Sequence, residues 1–511
     1  MRLPAIVLLG IGILGSVAVL VATRWGIGVE YDSVFYLSAA ENLLHGLGLS
    51  RLGGGGEIIP LTHYPPLYPL LLSIISWVSG ATVSSAARAV SAIFFGALAF
   101  VGGLVVARST RSWAAGAAGA ILLAASPVLL SVEIWAMSEV VYLVLLVAAL
   151  GLLAAYAQKP TRSYLLASAA VTAAAYAARY VGIALVGTGV LVVLVSGSWT
   201  WRRRLLRAAA FGSLGVLPVI IWMGRNLILT GSTTNRVLLY HPLGRDKVSE
   251  AAHTVAGWIL PASLPFRLSL VVTLLILAVL ALYVGRSWWN AGLRGGPAWE
   301  PRHRLLGVLA LHGMIYGALL VVSLTFLDAS TRLDDRILSP IYLVLLMAFV
   351  LAGELWLAEL KGRAWTRIVL VVILAGVLAV SVPSSLAVVR ASADHGLGFN
   401  SRGWVASPTV AWLESQQPGG AVYSNEAFPL YYLTGRPIYW APEAVDPVKG
   451  EPRPQLEADL ALMMERLREP GSYLIIFHPG HLRAEMPPLV DLTEGLTLLE
   501  KMSDAEIYVA P

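Results

Sequence analysis

The chain has 511 residues, 57% hydrophobic and only 13% charged, with a net charge of +6 and no cysteine. Soluble proteins carry about 25% charged residues, so this composition, with a mean hydropathy of +0.73, points to a membrane protein. The absent thiols exclude disulfides and thiolate metal sites. The basic excess sits mostly in short loops between apolar runs, where membrane orientation, not nucleic-acid binding, accounts for it.

In chain order, residues 3–22 lack a strong basic start and a small-x-small cleavage site and read as an uncleaved first span. Runs suited to crossing ~30 Å of hydrocarbon recur at 84–107, 112–132, 139–157, 163–179, 181–197, 207–224, 268–285, 305–326, 338–358 and 366–387. They are continuous rather than alternating, which selects helices over a barrel. The expected fold class is an α-helical polytopic membrane protein of about 11 transmembrane helices with a small C-terminal α/β domain.

Residues 67–80 are too short to span and read as a re-entrant or surface-lying helix. With that segment not crossing, the basic loops, Arg202-Arg203-Arg204 among them, fall on one side, the cytoplasm. The N-terminus is then cytoplasmic and the C-terminus extracytoplasmic. The first outer loop is 23–83, inside a membrane domain of 1–390. Within it, Val34 to Leu44 is an amphipathic candidate, expected to lie in the interface. Gly53-Gly54-Gly55-Gly56 has no leading strand and no GK[ST] closure, so it reads as a loop and not a phosphate cradle. Residues 391–511 form the extracytoplasmic domain, with strands expected at Ala421–Ser424, Pro437–Trp440, Tyr473–Phe477 and Glu506–Val509 and a helix at 455–468. Trp199, Trp201, Trp288 and Trp289 read as interfacial anchors, His312 as a helix contact, and His478-Pro479-Gly480-His481 as a turn rather than a metal site.

The outward ends of the spans collect charges that are costly there unless they face water, a cation or a substrate. Glu30 and Asp32 follow the first span, Glu133 and Glu139 bracket the third and fourth, and His63-Tyr64 precedes Pro65-Pro66. Arg179 separates two short spans, Arg225-Asn226 ends the seventh, and Arg336 precedes the tenth. Brought together, guanidiniums suit a phosphate through their planar fork. Carboxylates beside it suit a base or a divalent cation. Such a set calls for a phosphate-linked donor and a nucleophile that must lose a proton.

Asp32, HYPPLYPLLL (63–72), SEVVYLVLL (138–146), RYVG (179–182), RNLILTG (225–231) and RILSPIYLVLL (336–346) resemble, in order and spacing, the membrane-embedded glycosyltransferases of the GT-C class. The branch with protein O-mannosyltransferases, the lipid A aminoarabinose transferase and the Rgt-type bacterial transferases is the most similar. The resemblance implies a polyprenyl-phosphate-linked sugar donor (undecaprenyl or dolichyl), bound among membrane lipid, and a glycan, lipid or protein acceptor. It implies Asp32 as catalytic base, Glu139 as second acid with Glu133 a nearby alternate, and Arg179, Arg225 and Arg336 on the donor phosphate. His63 stands where relatives often carry a cation; Glu30, Tyr64 and Asn226 would line the site. The one cofactor left open is a divalent cation (Mg, Mn or Zn) at Asp32 and Glu139. Many O-mannosyltransferases have an Asp-Glu pair where this chain has Asp32-Ser33, which leaves the protein-mannosylating branch open. A non-catalytic assembly subunit and a lipid or glycan transporter are the alternatives; a transporter should carry an internal repeat, and none is evident.

Overall fold

The computed structural model describes all residues except 1, 54–56, 198, 235–237, 239, 261–263, 294–299, 328–330, 362, 417 and 447–450. Three of the four consecutive glycines expected to form a loop therefore lie outside the described residues. Every run expected to span falls on helix. Among the described residues, eight helices are long and apolar enough to cross a membrane: Leu3–Ala22, Val83–Thr110, Glu139–Gln158, Trp201–Thr230, Phe266–Arg286, Pro301–Phe326, Asp335–Glu359 and Ala364–His395. Trp113–Ala124 and Pro127–Glu133 make a ninth if the pair, bent by 57°, is one span. The break has a local cause. The Ser126 hydroxyl accepts from the Leu129 N–H, and Pro127 starts the second piece where its missing donor costs nothing.

The remaining two expected spans are Arg162–Ala178, with 17 residues, and Ile183–Val195, with 13 after the single turn Tyr180–Gly182. They restore the expected total only if helices this short also cross. The first span packs closely on Val83–Thr110, because a Cβ on Gly12 would sit 2.6 Å from the Gly96 carbonyl oxygen. Leu67–Ser79 is about 20 Å long by its rise per residue, short of a span, and it buries Tyr68 and Leu72 while exposing Ile74, Trp77 and Val78. Trp201 and Trp289 are exposed, as anchors would be; the side chain of Trp288 lies outside the described residues.

One expectation changes. The amphipathic candidate forms a helix, Tyr31–Leu44, but more of it is covered than one apolar face. Val34, Tyr36, Leu37, Ala39, Ala40 and Asn42 are all buried. It is covered by the antiparallel hairpin β1 (Ser50–Leu52) and β2 (Ile58–Pro60), by Leu67–Ser79, and by the C-terminal domain.

The C-terminal domain contains β3 (Val422–Ser424), β4 (Tyr439–Trp440), β5 (Tyr473–Phe477), β6 (Thr497–Lys501) and β7 (Ala505–Val509), in the order β4-β3-β5-β7-β6. β3 runs parallel to both β4 and β5, whereas β7 is antiparallel to β5 and β6. Helices Pro408–Gln416, Ala427–Thr434 and Leu456–Leu467 accompany the sheet. The four expected strands are present, and β6 is an addition. Its five residues are all exposed, so it carries no burial pattern a sequence could reveal. His478 precedes and His481 ends a single turn, Pro479–His481, as expected. His312 bonds to the Thr188 hydroxyl at 3.1 Å between two helices, both residues being buried, the contact role expected of it.

Candidate functional site

The chain leaves its first span as an extended segment stitched on both sides. The Gly28 N–H donates to the Ile134 carbonyl at 2.9 Å, and the Gly28 carbonyl accepts from Ala136 at 2.8 Å. One residue later, Val29 bridges to Gly398 and its carbonyl accepts from the Phe399 N–H at 2.8 Å. Glycine is required at 398, with φ +54 and a Cβ position 2.0 Å from the Val29 carbonyl oxygen. This seam fixes the start of helix Tyr31–Leu44, with Glu30 at its N-cap and Asp32 in its first turn.

Three other elements deliver charge to the same place. Glu139 opens helix Glu139–Gln158 and is 2% exposed. Arg179 occupies the extended break between Ala178 and the Tyr180–Gly182 turn. Arg336 is the second residue of helix Asp335–Glu359. Its two acidic neighbours are committed locally, Asp334 capping the Ile337 N–H at 3.1 Å and Asp335 accepting from the Trp258 indole at 3.2 Å.

The charges meet. Arg336 Nη1 donates to Asp32 Oδ2 at 2.8 Å and lies 3.7 Å from Glu30 Oε1, while its Nε lies 3.5 Å from Glu139 Oε1. Arg179 pairs with the same Glu139 oxygen. The other Asp32 oxygen accepts from the Tyr64 hydroxyl at 2.7 Å, and His63 stacks edge-on against Tyr64 at 4.8 Å. Of the residues singled out in the sequence, Glu30, Asp32, His63, Tyr64, Glu139, Arg179 and Arg336 thus form one cluster.

Burial pushes the Asp32 carboxyl upward, but Arg336, Tyr64 and His63 outweigh it and hold the group below its ordinary range. Glu30 moves the other way: burial, helped by the fields of Asp32, Glu139 and Asp334, raises it in spite of Arg336. Tyr64 is raised by burial and by the Asp32 carboxylate, so its hydroxyl keeps the proton it donates. A depressed folded-state value makes ionised Asp32 a stabilising group above its unfolded value of about 4. That contribution is lost as pH falls through the lowered folded value. The unfolding temperature of Asp32→Asn should therefore fall less between pH 5 and pH 2 than that of the parent chain. Parallel curves in a thermal scan would show that the carboxylate is not so held.

Arg225 and Asn226 take a different place from the one expected. Arg225 donates from Nη1 to the Leu61 carbonyl at 2.8 Å and to Asn226 Oδ1 at 2.9 Å, and from Nη2 to the Leu49 carbonyl at 2.9 Å. Asn226 Nδ2 donates to the Thr62 carbonyl at 3.3 Å and to Thr233 at 2.9 Å. The fork that would grip a phosphate is spent on the two ends of the β1–β2 hairpin, and the hairpin leads straight into His63-Tyr64. Arg225 is a latch for the loop that carries Tyr64. Arg225→Ala should make residues 49–62 far more sensitive to limited proteolysis. Unaltered cleavage would remove the latch role. Glu133 is fully buried, and its oxygens meet no hydrogen-bond donor among the described residues.

The donor set does not fit a divalent cation as it stands. The guanidinium of Arg336 stands between Asp32 and Glu139 and pairs with both, where a cation would have to sit, and among the described residues no group of three His, Asp or Glu converges elsewhere. No step below depends on a metal.

Two contacts beside the site join residues that nothing in the sequence pairs. Ser138 meets the buried Tyr36 hydroxyl at 3.1 Å. Tyr31 donates to Glu426 Oε2 at 2.9 Å across 395 positions.

No family model and no curated protein matches the chain. Among solved structures it is similar to ArnT from Cupriavidus metallidurans bound to undecaprenyl phosphate, at 15% identity and a TM-score of 0.56 over 97% of this chain and 96% of that one. It is similar to the archaeal oligosaccharyltransferase AglB from Archaeoglobus fulgidus in complex with an inhibitory peptide and a dolichol-phosphate, at 12% identity and a TM-score of 0.54 over 91% and 69%. The arabinofuranosyltransferase AftD from Mycobacteria matches at 17% identity and a TM-score of 0.52 over 98% of this chain and 41% of that one. At these identities the likeness carries the fold. These neighbours are all GT-C glycosyltransferases, and the chain is a polytopic membrane protein with the GT-C fold.

Proposed function

We propose that the chain transfers a sugar from a polyprenyl phosphate, undecaprenyl or dolichyl, to an extracytoplasmic acceptor, inverting the anomeric carbon. One observation carries this reading: Arg336 joins Asp32 to Glu139, with Arg179 behind, at the start of the first outer loop of a GT-C fold. The positive-inside distribution of the basic loops supports an outward-facing site and a plasma-membrane location.

Asp32 takes the proton from an acceptor hydroxyl or amine as its lone pair forms the new bond to the anomeric carbon. The bond from that carbon to the phosphate oxygen breaks, and its electron pair leaves with the lipid phosphate. Arg336 and Arg179 face the charge that grows there; one well-placed donor to such charge contributes about 3 kcal/mol. Arg336 has a second part in this scheme. An arriving phosphate competes with Asp32 for the guanidinium, and a carboxylate released from it becomes a stronger base. The base is then fully active only with donor in place. Acceptors of this class are glycans, lipids or proteins at the membrane surface.

The test is transfer by the purified full chain in nanodiscs, given labelled pentosyl and hexosyl polyprenyl phosphates with envelope extract, alongside mass analysis of envelope glycans and lipids with and without the chain. Label entering an envelope product, and a mass difference of one sugar, support the reading. Identical envelopes with no transfer from any donor favour a scaffold subunit. Donor crossing sealed vesicles without transfer favours a transporter.

A further inference from the structure

We propose that Glu426, in the C-terminal domain, is a positioning residue for Asp32 and acts through Tyr31. The inference rests on the reading of Asp32 as the base and adds the last hundred or so residues to the machinery that aims it.

Helix Tyr31–Leu44 presents Tyr31 and Phe35 one turn apart on the same face. That face meets the C-terminal domain. The Tyr31 ring lies 5.6 Å from Phe399 and 5.6 Å from Phe428, and Phe35 lies 4.9 Å from Phe428. At the end of this contact the Tyr31 hydroxyl donates to Glu426 Oε2 at 2.9 Å. Tyr36 on the same helix packs against Tyr64 at 4.8 Å and Tyr68 at 5.2 Å, and Tyr64 is the residue that bonds Asp32. The turn carrying Asp32 is therefore gripped from two directions, once through Tyr64 and once through Tyr31.

Glu426 is a firm anchor. It follows β3 at the carboxyl end of the parallel strands, where the preceding Asn425 exchanges two hydrogen bonds with Phe477 of β5, at 2.9 and 2.8 Å. Arg483 donates to the Asn425 carbonyl at 3.0 Å and spreads over Trp440 at 5.1 Å and Tyr31 at 6.0 Å. A carboxylate on so rigid a rim can hold a neighbour's orientation, which a surface carboxylate on a mobile loop cannot. Displacing a reacting group by about 1 Å costs roughly a hundredfold in rate, so a single bond beside the base is worth far more to turnover than to the fold. The Val29–Gly398 seam holds the backbone in place without it, which is why removing the carboxylate should loosen the aim of Asp32 and leave the domain docked.

The test uses the full chain in the nanodisc transfer assay, with initial rates over a range of donor concentrations. Glu426→Ala and Tyr31→Phe are each expected to lower kcat about ten- to hundredfold, with donor KM within twofold and the unfolding temperature nearly unchanged. Their double variant should be no slower than the slower single one, because both remove one bond. Glu426→Gln keeps an oxygen that can accept from Tyr31 and should recover most of the rate. Asp32→Asn is the reference. If it is inactive while Glu426→Ala and Tyr31→Phe turn over at the parent kcat, the positioning role is lost and the reading of Asp32 stands. If Asp32→Asn transfers sugar at the parent rate, the reading itself fails. Multiplying losses in the double variant, or Gln no better than Ala, would mean that charge or folding and not the Tyr31 bond is at work.

Discussion

Asp32→Asn is expected to lower sugar transfer by about three orders of magnitude with no loss of expressed protein. The size follows from general-base catalysis, which contributes about 10²- to 10⁴-fold, and from the geometry around this carboxylate. Asparagine keeps the shape and can still accept from Tyr64 at the position of Oδ1. It cannot take a proton, and it offers Arg336 no charge in place of the carboxylate now 2.8 Å away. The fold should tolerate the change, because the Val29–Gly398 seam and the aromatic contacts of Tyr31 are untouched. Undecaprenyl phosphate should bind Asp32→Asn at least as tightly as the parent, since a competing anion has been removed from Arg336. Full activity of this variant in the nanodisc assay would end the proposed mechanism. Weaker phosphate binding would mean that Arg336 does not face the donor.

Arg336→Ala is expected to damage both function and fold. It leaves Glu30, Asp32 and Glu139 close together with only Arg179 nearby, and Glu139 is 2% exposed. Stripping a partner from a buried carboxylate costs about 3–5 kcal/mol; retention of the Arg179 pair puts this case near the lower end. The accompanying Asp32→Asn change should return more than half of the lost stability, because the carboxylate stranded by the loss of Arg336 goes with it. It should return none of the transfer activity. Arg336→Lys keeps the charge but not the planar fork, and one ammonium cannot serve Asp32 through Nη1 and Glu139 through Nε at once. Its turnover should fall between those of the parent and of Arg336→Ala. A thermal scan in one detergent, with undecaprenyl phosphate binding measured alongside, checks all three variants. Unchanged stability and unchanged phosphate binding in Arg336→Ala would show that the cluster is an interfacial charge group in water and not a site.

The sequence already spelled out much of this molecule. Continuous apolar runs bounded by basic loops define the membrane helices, since hydrocarbon admits little else. Asp32, Glu139, Arg179 and Arg336 were conspicuous because ionised groups at span ends demand a reason. Four of the five C-terminal strands were readable from short apolar stretches, whereas the wholly exposed β6 was not. What the sequence could not decide was how the groups are used. Arg225 looked like a phosphate ligand, yet its fork is taken by carbonyls 164 and 176 positions away. Tyr31 stood beside Asp32 with no partner in view, and Glu426 closes on it from 395 positions on. The helix from Tyr31 to Leu44 had a face to offer, but only the surrounding chain determined that more than half of its residues would be buried. The physical reason is one of range. Apolar periodicity and span-end charge are local properties, written within a few residues of one another. A guanidinium's choice between a carbonyl and a phosphate depends on which distant backbone the packed helices bring within 3 Å of it.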